Sequence, residues 1–211
     1  MISWQAFLGI AAVALALVLT PGPNMIYLVS RSITQGRRAG LVSLGGVAAG
    51  FFVYLLAATA GLTTIFTLVP ALYTAVKLAG AGYLLWLVWK TVKPGGQSAF
   101  DPKPLPPDGP RKLFTMGLVT NLLNPKIAIL YVSLLPQFLD PSKGHVAMQS
   151  LVLGLVQIAI ALTVNTLIVL TAGSISAFLG KRPVWLSVQR YVMGTVLAGL
   201  AVHIALDGTR A

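Results

Sequence analysis

Apolar residues run along this chain in stretches too long, and repeated too often, for a soluble domain. A helix that crosses a membrane needs roughly 20 predominantly apolar residues. Runs of that kind cover residues 4–30, 41–66, 70–92, 113–138, 147–173 and 187–206. The pattern predicts an all-α membrane protein with six transmembrane helices. The first run has the apolar centre of a secretory signal peptide. It lacks a basic leading segment, and its small residues are followed by Thr20-Pro21 rather than a cleavage site, so we read it as a retained span.

The longest polar interval, "KPGGQSAFDPKPLPPDGPRK" (93–112), is rich in proline and glycine and has no apolar period. It reads as a cytoplasmic linker between residues 1–92 and residues 113–211. Each flanking part holds three spans, so the second must enter the membrane from the opposite side to the first. That is the geometry of two inverted three-helix repeats. In secondary transporters so built, the binding site lies near the bilayer midplane, where interrupted helices in corresponding positions meet. The interrupted helices here are the first of each repeat: "TPGPN" (20–24) in helix 1 and "NLLNPK" (121–126) in helix 4.

Composition agrees: 56% of the 211 residues are hydrophobic and 9% are charged, against about 25% charged in globular domains. The net charge of +11 suggests a nucleic-acid partner until its placement is examined. Arg31, Arg37 and Arg38 follow the first span, Lys90, Lys93, Lys103, Arg111 and Lys112 follow the third, and Lys181, Arg182 and Arg190 separate the last two. Eleven of the fifteen basic residues thus fall on alternate connections, and "TTIFTLVP" (63–70) carries none. The positive-inside rule puts the basic face in the cytoplasm and both termini outside. We therefore expect anionic lipid headgroups as neighbours of that face and no nucleic-acid partner.

The breaks are the places where chemistry is expected. Proline cannot donate to the carbonyl four residues back, and its ring crowds that carbonyl, at a cost of about 3 kcal/mol or more in a helix interior. Pro21 and Pro23 should free the carbonyls of Leu17 and Leu19, and Gly22 relaxes the backbone between them. In hydrocarbon such groups must be met by protein, water or ligand. The amides beginning near Asn24 open a new half-helix with a positive pole. One break therefore offers donors for a carboxylate and acceptors for an ammonium, which an amino-acid zwitterion requires. In the fourth span Pro125 should free the carbonyl of Asn121. Asn121 and Asn124 are three residues apart and share a helix face, which Gly117 and Ala128 extend. Lys126, set among apolar residues, is an intramembrane charge and so a candidate site residue. Its expected partners are a substrate carboxylate, Asn24 or the freed carbonyls of the first span. Lys77 is the second embedded charge, and Gly80 and Ala81 give it a small-residue face.

Other polar groups read as structural. Gln157, Thr163, Asn165 and Thr166 in the fifth span are expected to bridge helices, His203 to sit at the interface, and Gly46-x-x-x-Gly50 permits a homodimer. Cysteine and glutamate are absent, and all four aspartates (Asp101, Asp108, Asp140, Asp207) fall in loops or at the C-terminus. No thiol chemistry, metal site or cofactor is expected, and an enzyme would need a nucleophile and base at one depth. A cationic cargo would lack a countercharge and meet Lys77 and Lys126, so a neutral zwitterion is favoured. The alternative is a metal or other ion permease.

"TPGPNM", "KLAGAGYLLWL" (77–87), "NLLNPK" and "LPQF" (135–138) together resemble the LysE/RhtB family of bacterial amino-acid exporters, in order and spacing, over nearly the whole chain. The resemblance implies a small inner-membrane carrier that exports amino acids or derivatives such as homoserine, threonine, leucine or lysine, coupled to the proton gradient. The family's motif positions correspond to Pro21, Gly22, Pro23 and Asn24, to Lys77 and Gly80, and to Asn124, Pro125 and Lys126. Many members have aspartate where this chain has Asn24, a departure that agrees with neutral cargo.

Overall fold

The computed structural model describes residues 2–68 and 106–179, with isolated positions between 78 and 89 and between 191 and 202. Every regular element among them is helical. Helix α1 (Trp4–Leu19) begins at Ser3, whose side chain accepts from the Ala6 amide at 3.1 Å and so meets one of the donors a helix start leaves open. It ends where Pro21 removes the next donor. Gly22 is extended, and α2 (Pro23–Gln35) starts with proline at its first position, where no amide is needed. Gly36, with φ of 87°, separates α2 from α3 (Arg37–Leu68). Only a residue without a Cβ adopts that φ at no cost.

The second described segment also opens with an interrupted helix. Helix α4 (Pro110–Leu122) stops at the NLLNPK motif and α5 (Pro125–Ile129) restarts after it. A π-turn over Leu130–Leu134 and a 3-10 turn over Leu135–Phe138 follow. Pro136 withholds the amide that would close an α-turn on Val132, and the Leu135 amide instead reaches back to the Leu130 carbonyl. A tight loop carrying the turn Pro141–Lys143 leads into α6 (Val146–Leu179).

Two stretches, Arg37–Gly61 and Val146–Ile175, are long and apolar enough to cross a membrane. The pairs Trp4–Leu19 with Pro23–Gln35 and Pro110–Leu122 with Pro125–Phe138 also qualify if each is taken as one span, bent by 53° and 50° at its break. These are four of the six expected spans, each starting or ending a few residues from the expected place. The spans expected at 70–92 and 187–206 lie largely outside the described residues, as do Lys77 and His203. Ala81 and Ala201, from those spans, are buried in the same core as Ile10, Leu28, Phe51, Tyr131 and Leu153. The chain is a multi-pass, all-α membrane protein.

Helices α3 and α4 pack closely enough that glycine is required on both. A Cβ at Gly46 would collide with the Phe114 carbonyl, one at Gly117 with the Ser43 carbonyl, and one at Gly50 would lie 2.7 Å from Asn121. The Gly46-x-x-x-Gly50 face, read from sequence as a dimer surface, is thus covered from within the chain.

Candidate functional site

The two breaks meet. Lys126, one residue into α5, reaches across to the end of α1 and donates to the Leu17 carbonyl at 2.6 Å and the Thr20 carbonyl at 2.7 Å. Leu17 is a carbonyl that Pro21 was expected to free. The Leu19 carbonyl, expected beside it, is not among the lysine's partners. Thr20 takes that place because it caps α1 in an extended conformation, its own amide and hydroxyl both turned back to the Ala16 carbonyl. Gly22 makes the approach feasible, since a Cβ there would stand 3.0 Å from Lys126 Nζ. The lysine is 6% exposed and does not snorkel to an interface.

Asn124 caps the other break. Its Oδ1 accepts from the Lys126 amide at 3.1 Å, and its carbonyl accepts from Ile127 and Ala128. The Asn121 carbonyl that Pro125 was expected to free is taken by the Asn124 amide at 3.1 Å, because the chain turns there. Asn121 and Asn124 therefore do not share a helix face as expected; the break lies between them. The Leu122 carbonyl, also left open, accepts from Tyr54 of α3 at 2.7 Å.

Between the breaks is a cavity of about 20 Å³ lined by residues of α1 (Ala14, Leu17, Val18), α2 (Asn24, Met25), α3 (Phe51) and α6 (Gln157, Ala161, Asn165), with Asn124, Lys126, Ile127 and Leu130. That is room for about one water molecule. Two of the lining residues, Asn24 and Asn124, each carry a buried side-chain atom, Oδ1 and Nδ2 respectively, that makes no hydrogen bond. Native buried polar groups are nearly always paired, and leaving one unpaired costs about 1–3 kcal/mol. An unmet acceptor and an unmet donor on one small cavity are what a ligand bearing both charges would satisfy. Lys126 is the only charged side chain among the described lining residues. It uses two of its three N–H donors on carbonyls, which leaves one.

The candidate residues divide accordingly. Asn24, Asn124 and Lys126 line the cavity. Pro21, Gly22, Pro23 and Pro125 shape the breaks without lining it. Asn121 is fully buried, with both side-chain polar atoms unpaired, but it sits against Gly50 rather than on the cavity wall. Lys77 lies outside the described residues. Gln157 and Asn165, expected only to bridge helices, line the cavity as well. Gln157 does bridge, accepting from Tyr131 at 2.7 Å, while Asn165 donates to the Ala161 carbonyl of its own helix. The signal that could have found them is the spacing of Gln157, Ala161 and Asn165, which puts two amides and a small residue on one helix face.

A second polar cluster lies at the far end of α2. Arg31 pairs with Asp108 at 2.7 Å, Lys112 joins the same carboxylate at 2.6 Å, and the Arg31 guanidinium stands 5.7 Å from the Tyr27 ring centroid. Tyr27 donates to the Leu113 carbonyl at 2.7 Å and accepts from Ser43 at 3.1 Å.

Paired discontinuous helices around an inward-facing lysine and unpaired asparagines are features of a small membrane carrier. Residues 15–208 match the family described as LysE type translocator, and the chain belongs to that family. It is 26% identical over 196 residues to a leucine efflux protein of Salmonella typhimurium, covering 91% of each chain. It is 27% identical over 197 residues to a leucine efflux protein of Klebsiella pneumoniae, again with 91% of each covered. No solved structure matches it.

Proposed function

We propose that this protein exports small neutral amino acids or derivatives, of the homoserine, threonine or leucine type, across the bacterial inner membrane. Residues 1–92 and 113–211 act as inverted three-helix repeats joined by the cytoplasmic linker 93–112, with both termini periplasmic. They rock about the paired breaks in alternating access driven by the proton gradient. The near-equal bends at the two breaks, 53° and 50°, support the repeat. The leucine efflux proteins to which the chain is similar support the cargo class.

The observation that carries this reading is the cavity wall itself. It has one ammonium, two asparagines with an unpaired donor or acceptor, the amides of Gln157 and Asn165, and otherwise apolar side chains. The substrate carboxylate is assigned to the free donor of Lys126, the Asn124 amide and the open amides at the start of α2, where no side chain caps the helix. The substrate ammonium is assigned to Asn24 Oδ1. An aliphatic side chain is left for Ala14, Val18, Met25, Phe51 and Ala161. Asn121 supports the second break from behind, and Lys77 offsets substrate charge or steadies the repeat interface. At about 20 Å³ the cavity is too small for an amino acid, so the cycle must widen it.

The test is amino-acid release from cells loaded with a leucine-containing dipeptide, followed by mass spectrometry of the medium. Expression should raise the accumulation of neutral amino acids, and Lys126→Ala and Asn24→Ala should abolish the rise. Normal export by both variants would show the assigned site to be wrong.

A further inference from the structure

The end of α1 presents two backbone carbonyls, Leu17 and Thr20, to one positive charge at 2.6 and 2.7 Å. Carbonyls converging at an unwound helix end, where the helix also contributes partial negative charge, are the means by which discontinuous helices hold a coupling cation. Here the position is filled by a side chain from the opposite break. The bare Gly22 backbone, 3.0 Å from that nitrogen if it bore a Cβ, leaves no room to spare around it. No carboxylate lies among the described lining residues to hold a free cation in addition.

We propose that Lys126 is a tethered cation occupying a monovalent-cation site built by the end of α1. The export cycle then draws on no alkali cation, and removing the ammonium opens the site to small primary ammonium ions. A primary ammonium offers three N–H donors, two for the carbonyls and one to spare, as the lysine does. Tetramethylammonium offers none. Because the cation is covalently part of α5, it joins the two breaks directly. A change at one break must then be felt at the other, which a diffusing ion could not enforce.

The site itself is independent of the cargo, and only its role in the cycle rests on the export reading. The experiment has two arms. In the first, detergent-purified wild type, Lys126→Ala and Lys126→Met are heated in N-methylglucamine chloride with sodium, ethylammonium or tetramethylammonium added at equal ionic strength. We expect ethylammonium to raise the unfolding temperature of Lys126→Ala, and tetramethylammonium to leave it where it was. Wild type, and Lys126→Met with its uncharged chain filling the space, should respond to neither. No ethylammonium response in Lys126→Ala, or the same response in wild type or Lys126→Met, overturns the site.

In the second arm, leucine efflux from proteoliposomes containing wild type is followed with sodium, potassium or N-methylglucamine as the sole monovalent cation. Equal rates are expected, and a requirement for sodium or potassium overturns the tethered-cation role even if Lys126→Ala does not fold. If wild type moves no leucine with any cation, the export reading fails for that cargo, and the unfolding arm still decides the site.

Discussion

The guanidinium of Arg31 lies 2.7 Å from the carboxylate of Asp108, and both side chains are almost closed to solvent, at 5% and 7% exposure. Arg31 is about two turns along α2 from Asn24, or roughly 10 Å. The half-helix that brings Asn24 and Met25 to the cavity is therefore pinned at its other end to the segment entering α4. Gln35 repeats the attachment, donating to the Pro106 carbonyl at 2.9 Å and accepting from the Asp108 amide at 3.2 Å. Movement of α2 in a transport cycle would have to break or carry this cluster.

The pair makes stability depend on pH in a defined direction. The hydrogen bond from Lys112, and after it the charge of Arg31, hold the Asp108 carboxyl below its ordinary 3.8. A carboxyl whose folded value is depressed adds stability that is complete above the ordinary range and is lost as pH falls through the lower folded value. Thermal unfolding in detergent should therefore be insensitive to this group above about pH 5 and weaken in more acid solution. Asp140, pulled down to about 2 by the Ser142 hydroxyl and then by Lys143, releases its contacts only in stronger acid. Asp108→Asn should be less stable than wild type at neutral pH and show a smaller acid-induced loss. An unchanged acid limb in the variant would mean that the pair does not fasten α2.

Gly46 and Gly45 are adjacent in sequence and opposite in expected behaviour. A Cβ at Gly46 meets the backbone of Phe114 and Leu118, which cannot turn aside, whereas one at Gly45 rests 3.7 Å from the Phe114 ring. Gly46→Ala should separate α3 from α4 and cost about 1–3 kcal/mol, while Gly45→Ala should stay within about 0.5 kcal/mol. Expression yield and unfolding temperature of the two variants provide the comparison. Equal tolerance would contradict the α3–α4 packing.

Tyr54→Phe isolates the support of the second break. Tyr54 stacks on Tyr131 with ring centroids 5.6 Å apart and donates to the Leu122 carbonyl at 2.7 Å. The variant keeps the stack and strands the carbonyl, at a cost of about 1–3 kcal/mol. Export should fall with stability, since the break it holds carries Asn124 and Lys126. Full stability in the variant would show that another group meets that carbonyl.

Much of this architecture could be read from the sequence, for a physical reason. In lipid the backbone has no partner but itself, so long apolar runs report helices directly, and prolines within them report breaks. Pro21 and Pro125 accordingly located both discontinuities, and Lys126 was found because a charge in an apolar run is conspicuous. What escaped was contact between distant positions. Thr20 replaced Leu19 as a lysine partner because the carbonyl orientation depends on how the extended link turns, which spacing does not encode. Gly50 explains why Asn121 faces a helix instead of the cavity, and only packing reveals it. Asp108, read as a linker charge, became the partner of Arg31 for the same reason.

Asn124 has two roles that a single substitution can separate. Its Oδ1 caps α5 by accepting from the Lys126 amide, while its Nδ2 is buried with no partner in a residue that lines the cavity. Alanine removes both, and loss of a cap alone costs about 0.5–2 kcal/mol. Aspartate retains the cap, since a carboxylate oxygen accepts the same hydrogen bond. It removes the amide donor, however, and brings a negative charge beside Lys126, where the substrate carboxylate is assigned. Asn124→Asp should therefore unfold no earlier than wild type while its export falls at least about tenfold, the equivalent of losing one hydrogen bond to a charged group. Asn124→Ser, a capping residue without the amide, should also remain folded and lose export. Efflux rates and unfolding temperatures measured on the same preparations separate the roles. Wild-type export by Asn124→Asp would show that the unpaired amide does not meet the cargo, and would leave Asn124 as a helix cap alone.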